Sequence, residues 1–276
     1  MSLPWTIVIL VAANLATIGT MLLVRRRAPE GSYFKDGDRA SGVFGVLAGG
    51  FAIFAGFIIF LAFTTYDQSR AGGEAEALTV VQQFETAELF PATMRVRMSG
   101  EVVCYGRSVV HQEWSQLERG KGGDSINPWT FALFRSLRMV NPRTATEQAA
   151  YGKWLDQTSD REEARRDRLH GAEGVTPVSI WIVLLVIAGV VFAFMLFFAD
   201  SGEGAVSQAM LMGSATTVIV LTLTAINALG NPYRDGLGRI EPVAMERSLR
   251  ILDRARTVLN QRDALPCDAR GAPVSS

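Results

Sequence analysis

Residues able to do chemistry are sparse in this chain of 276 residues, and those that exist gather at the end of one apolar run. Thr64, Thr65, Tyr66, Asp67, Arg70, Glu74 and Glu76 place hydroxyls and charges on consecutive turns where the uncharged stretch Gly42–Thr65 ends. Asp67 stands three residues before Arg70, the spacing of an ordinary surface pair. Glu74 and Glu76 would form a ring of carboxylates if several copies met around an axis, although a solvated helix face is the commoner origin of such charges. Elsewhere there are only two histidines, His111 and His170, and two cysteines, Cys104 and Cys267, far apart and outside any CxxC pair. A free thiol is therefore expected, and a disulfide or zinc site is not. No nucleotide-binding loop, metalloprotease signature or nucleophile elbow is present. The residues imply no cofactor and no bound metal, and a protein without catalysis is expected.

The same apolar run carries a second pattern. Phe51, Phe54, Phe57, Phe60 and Phe63 recur every three residues, which drifts slowly around a helix. Around an axis of several copies they would make a hydrophobic constriction of the kind that gates by dewetting; packing or lipid contact is the plainer reading. Gly45, Gly49, Gly50 and Gly56 permit close helix approach, with a GxxxG at Gly45 and Gly49. Far along the chain, Thr216, Thr217, Thr222, Thr224 and Asn227 give another apolar stretch a polar side. Its hydroxyls can bond to their own preceding turn, or to a neighbouring helix or a wet cavity.

These residues must be positioned by long apolar helices. Hydrophobic residues make up 49 % of the chain, and four stretches reach the ~20 uncharged residues that a membrane span needs: Pro4–Val24, Gly42–Thr65, Val178–Ala199 and Ala205–Leu229. The first is read as a retained span, because no Lys or Arg precedes it and Arg25, Arg26 and Arg27 follow it. The spans pair as 4–24 with 42–65 and 178–199 with 205–229, separated by a polar insert over 66–177.

The insert reads as helical. Ala75, Leu78, Val81 and Phe84 keep amphipathic spacing, with Ala77 and Val80 nearby. Pro91 can open a helix in which Met94, Met98, Val102, Tyr105 and Val109 lead on to Trp114 and Leu117. Asn127 before Pro128, and Asn141 before Pro142, each read as an N-cap. The helix after Pro142 is expected to run to about Leu169, with Glu162 and Arg166 spaced as a pair. After the fourth span a helix over about Glu241–Asn260 is expected, then a disordered tail from about Pro266. The fold class is an all-α membrane protein, and its segments are 1–65, 66–177, 178–230 and 231–276.

Net formal charge is zero, which gives no nucleic-acid character. Basic residues near span ends number eight on the side of the insert against five on the other, so the positive-inside rule places the insert and both termini in the cytoplasm.

Two motifs then carry a resemblance. FTTYDQSRAGGEAEAL ends a span in Phe-Thr and continues through tyrosine, an acid and an arginine. NPYRDGLGRIEPVAMERSL follows a span with Asn-Pro-aromatic, a glycine turn and a helix opened by Glu-Pro. Together they resemble the bestrophin-like domain of bacterial membrane proteins, over about residues 40–260. That family is distantly similar to the bestrophins, which are pentameric ion channels whose second membrane helix lines the pore. The resemblance implies a multi-pass protein of the bacterial inner membrane, partnered by the lipid bilayer, by copies of itself (a pentamer by analogy) and by an inorganic ion. It also implies a pore neck among Phe57, Phe60, Phe63 and Thr64, followed by a polar ring of Tyr66, Asp67, Arg70 and Glu74. The sequence departs from the bestrophins in having Gln68-Ser69 where they carry a Trp-Trp pair, and in lacking the acid-rich calcium clasp of the animal proteins. A sensor or scaffold that does not conduct, and binds a partner through the insert, is the alternative.

Overall fold

The computed structural model describes residues 3–121, 126–172, 174–236, 238–261 and 263–274, and among them no β-strand forms. The helices are α1 (Leu3–Arg25), α2 (Gly37–Ala87), α3 (Ala92–Ser108), α4 (Trp114–Glu118), α5 (Pro128–Met139), α6 (Ala145–His170), α7 (Val178–Leu196), α8 (Ala205–Gly230) and α9 (Val243–Val258), with a π-helical turn at Val109–Glu113 between α3 and α4. Four of them, α1, α2, α7 and α8, are long and apolar enough to cross a membrane. The apolar run and its polar continuation form one uninterrupted α2 of 51 residues, against the ~20 that hydrocarbon requires. The chain divides into two compact units, and α2 passes from the first to the second between Thr64 and Thr65.

The first unit holds α1, α2 up to Thr64, α7 and α8. Its core is built from Phe51, Ala55 and Ile58 of α2, Leu184, Ala188 and Val191 of α7, and Ile219 and Ile226 of α8. The α2 and α7 sets step by four and three residues and the α8 pair by seven, each on one face of its helix. Between α1 and α8 the contact is polar. Asn14 Nδ2 donates to Thr217 Oγ1 at 3.2 Å, and the Thr17 and Thr216 hydroxyls lie 2.9 Å apart. Thr216 also donates to its own preceding turn, at Met212 O, and Thr224 does so at Val220 O. Both expectations for the polar side of α8 thus hold at once, internal bonding and a helix contact.

In the second unit the buried face of α2 is Ala77, Val80, Phe84 and Ala87, whereas Leu78 lies outward, 58 % exposed. The periodicity was right, but the face is rotated from the one that Ala75, Leu78 and Val81 suggest. Asn127 caps α5 by accepting from Trp129 N at 3.0 Å. Helix α6 starts later than Pro142 implies. Thr144 forms a capping box with Glu147, which satisfies two end donors where the Asn141 cap would have satisfied one.

Two expectations fail in this unit. Cys104 and Cys267 are not free thiols; they form a disulfide across 163 residues. Residues 266–274 are not a loose tail either, and the rest of the expected tail lies outside the described residues. Trp129 Nε1 donates to Gly271 O at 2.7 Å, and Gly271 has φ of +78° with its α-carbon so close to α3 that a Cβ would lie 2.3 Å from Ser108 N. Only glycine fits there. That contact, together with the bridge pairing Cys267 with Pro273, brings Cys267 to the buried face of α3. Long sequence separation hid a pairing that tertiary packing makes local.

What fixes α2 against α6 is a buried charge cluster. At Gly72 the two helices touch: a Cβ would lie 2.5 Å from Arg168 N and 2.7 Å from Ala164 O. Arg168, fully buried, donates from Nε and Nη2 to Glu76, and from Nη2 to Glu113 Oε2 at 2.8 Å. Tyr105 OH donates to Glu76 Oε1 at 2.5 Å, Asn127 Nδ2 to Glu113 Oε1 at 2.8 Å, and Arg165 pairs with Glu113 at 3.4 Å. Burial pushes the Tyr105 phenol well above its ordinary pKa, and the Glu76 charge adds to this. Burial alone would raise the Glu113 carboxyl, but the Arg168 and Arg165 guanidiniums outweigh it and hold the pKa below the usual range.

Removing one partner of such a cluster strands the others in a dry interior, at about 3–5 kcal/mol. Arg168→Met should therefore lower the thermal midpoint of the solubilised protein sharply, and adding Glu76→Gln should restore part of the loss; an unchanged midpoint in Arg168→Met would refute the role. For Glu113, a pKa depressed by folding means stability that is present above its unfolded value of about 4.3 and lost as pH falls through the folded value. Acid titration of wild type against Glu113→Gln should show that loss only in the wild type.

Candidate pore face and membrane exit

The outward side of α2 is where the sequence placed its functional residues. In the first unit Ile53, Phe57, Phe60 and Thr64 follow one another at steps of four, three and four, and all are exposed. In the second unit Asp67, Ala71, Glu74 and Leu78 continue the same steps along the helix, again exposed. Residues at this spacing share one face of an α-helix. The phenylalanines therefore divide. Phe51 is buried and Phe54 partly so, packed in the core, while Phe57, Phe60 and Phe63 are 58 %, 60 % and 51 % exposed. Phe63 flanks the stripe rather than lying on it. Thr64 Oγ1 donates to Leu61 O at 2.8 Å, so its hydroxyl is satisfied inside the helix.

The four residues of the expected polar ring separate. Asp67 and Glu74 lie on the outward stripe. Tyr66 packs partly against the core of the second unit and, with Arg70, lines a cavity of about 720 Å³ closed by Trp114, Arg239 and Val243. Glu74 also borders that cavity, and Arg70 pairs with it at 3.2 Å, both side chains 59 % exposed. An exposed pair of this kind contributes little, ~0.3–0.5 kcal/mol. The partner of Arg70 is thus four residues on, not Asp67 three residues back. Glu76 is fully buried on Arg168, so it is removed from any ring of carboxylates.

Sequence reading missed the buried cluster. Nothing in its motifs singles out Arg161, Arg165 or Arg168, and Glu162, spaced to pair with Arg166, instead meets Arg161 at 3.1 Å. The usable signal was the spacing: Trp154, Arg161 and Arg168 recur every seven residues, a core register. Glu113 ends the π-helical turn. The extra residue in that turn shifts its register, a deviation that periodicity cannot anticipate. Gly45, Gly49, Gly50 and Gly56 have nothing within 4 Å of where a Cβ would stand, so among the described residues no other helix of the chain uses them for close approach. Among the described residues, no group of three or more His, Cys, Asp or Glu could hold a metal ion.

Comparison with known proteins places this geometry. The model of the Bestrophin-like domain matches residues 10–245. A bacterial bestrophin homologue from Klebsiella pneumoniae, crystallised as a point mutant, superposes with a TM-score of 0.68 at 14 % identity, covering 88 % of this chain and 98 % of the other. Another crystal structure of that homologue, phased on zinc, gives a TM-score of 0.67 at 13 % identity, over 95 % of this chain and all of the other. No curated protein matches the chain. At such identity the superpositions show the shared all-α fold, and with the four apolar helices they make this a multi-pass membrane protein. The extent of the domain match settles its kinship: the chain belongs to the Bestrophin-like family.

Proposed function

We propose that the chain assembles into a homo-oligomeric ion channel, a pentamer by the family resemblance, in a bacterial inner membrane, with the outward face of α2 toward the conduit. One observation carries the reading. The stripe from Ile53 to Leu78 stays exposed while the opposite face of the same helix is buried. Around an axis, Phe57 and Phe60 would form an apolar neck that empties of water when narrow. Thr64 follows, and Asp67 would form a ring of carboxylates that attracts cations. Tyr66 and Arg70, turned to the cavity, would brace the exit rather than line it. A channel of this kind needs no catalytic group.

A second reading rests on a different surface. On α5, Phe131 and Phe134 are 60 % and 56 % exposed, which suits a scaffold that docks a protein partner on the insert without conducting.

The disulfide bears on which side of the membrane the insert lies. Disulfides persist in oxidising compartments and are rare in the cytosol, so Cys104–Cys267 favours an insert outside the cytoplasm. The excess of arginines favoured the opposite side, but that rule holds for loops shorter than ~60 residues, and the insert is far longer. The short loop that does obey the rule carries Arg25, Arg26, Arg27, Lys35 and Arg39, and belongs inside.

Conduction is tested by reconstituting the intact oligomer in planar bilayers. Currents should appear, Phe57→Ala and Phe60→Ala should raise conductance, and Asp67→Asn should lower preference for cations. Silence across varied salts and pH, from an oligomer shown to be intact, would leave the scaffold reading. For orientation, Arg27→Cys and Gly202→Cys should resist an impermeant maleimide applied outside intact cells; labelling from outside would restore the cytoplasmic insert.

A further inference from the structure

A second cavity lies wholly within the first unit, at the ends of α1, α2, α7 and α8 nearest the short connections 26–36 and 197–204. It encloses about 480 Å³ and is walled by Met21, Phe44, Phe198, Leu211 and Met212, a size within the ~300–1,000 Å³ of small-molecule sites. The walls are apolar, and thioether and aromatic side chains adapt to flexible hydrocarbon. One end is not apolar. Gln208 lines it, only 6 % exposed. Its Nε2 donates to Asp200 O at 2.9 Å and to Glu203 Oε2 at 3.1 Å, which fixes the amide, since the flipped form would set oxygen against two acceptors. Its Oε1 is therefore held in place, yet it is buried and accepts no hydrogen bond. A buried acceptor left empty is destabilising unless something fills it.

The surrounding charges describe what would. The exposed Glu203 carboxylate also lines the cavity. Arg25 Nη2 donates to the backbone oxygens of Ser201 and Glu203 in the 197–204 connection, its charge acts on Asp200, and its Nε is buried with no hydrogen-bond partner among the described residues. Asp200 is occupied too, accepting from Gly202 N and Gly31 N, which lowers its pKa. The cavity lining thus offers an acceptor at Gln208 Oε1 and a carboxylate at Glu203, and Ser41 adds a hydroxyl. In a chain that crosses the bilayer, this end sits within one turn of the start of α8, at the level of lipid head groups. The apolar walls continue inward, along the hydrocarbon.

We propose that this cavity binds one phospholipid with a primary-amine head, its chain among Met21, Phe44, Phe198 and Met212 and its ammonium donating to Gln208 Oε1 beside Glu203. The site stands on the membrane reading of the chain and is independent of conduction.

Native mass spectrometry of the delipidated full chain in detergent tests it, with phosphatidylethanolamine and phosphatidylcholine of identical acyl chains as probes. Both heads are zwitterionic, but the trimethylated one has no N–H. Wild type should favour phosphatidylethanolamine by about fivefold, the worth of one hydrogen bond. Gln208→Leu should abolish that preference while still binding lipid, and Met212→Trp, which fills the cavity, should reduce both lipids. Glycerophosphoethanolamine, the head group without chains, should not compete. Equal binding of the two lipids by wild type would overturn the proposal without recourse to any variant. So would a preference that survives in Gln208→Leu, or head group alone binding as tightly as the lipid.

Discussion

Burying Arg168 against Glu76 is the interaction on which the second unit depends. Placing an arginine and two glutamates in a dry interior is unfavourable unless nearly every donor and acceptor is met. Here most are met by parts drawn from all over the unit, with Arg168 Nη1 left without a hydrogen bond among the described residues: Tyr105 from α3, Glu113 from the π-helical turn, Asn127 from the cap of α5, and Tyr233, whose hydroxyl donates to Arg168 O at 2.5 Å. Each of these is fixed in turn by its own element. The cluster therefore acts as a register device. It sets the rotation of α2 about its axis, because Glu76 must point inward, and a helix has only one way to do that. Gly72 serves the same end, since any Cβ there would hold α6 away and Arg168 out of reach.

Rotation of α2 is what gives the outward stripe its composition. With Glu76, Val80 and Phe84 inward, Asp67, Ala71 and Glu74 have to face out. The helix is unbroken, so the same register runs back to Thr64, Phe60 and Phe57. The first unit agrees independently: Phe51, Ala55 and Ile58 are the residues it buries.

How much of this could be read beforehand follows from the kind of signal involved. The four spans were legible because length and absence of charge are local, and the α5 cap because Asn-Pro is a dipeptide. The phenylalanine repeat was visible, yet a period of three does not say where a helix surface ends; only the packed partners α7 and α8 divide Phe51 from Phe57. Arg161, Arg165 and Arg168 were hidden by composition, since arginine is rarely buried unless paired and the pairing acids lie 92 and 55 residues away. The disulfide was hidden in the same way. Cys104 and Cys267 meet only because Gly271 and Trp129 seat the terminal segment on α3.

The glycines of α2 bear on what the outward face meets. Glycine inside a helix is unfavourable by about 1 kcal/mol relative to alanine, and Gly45, Gly49, Gly50 and Gly56 together are a substantial burden on one span. Among the described residues nothing comes close enough to need them, as an added Cβ at each would enter open space. Lipid gives no reason for their smallness either, because acyl chains fill around alanine as readily as around glycine. A second protein surface does give one, since close backbone approach is how membrane helices associate without a hydrophobic drive between them. The absent side chains on α2 thus support the same conclusion as its exposed ones. Both fit the proposal that this helix meets copies of itself.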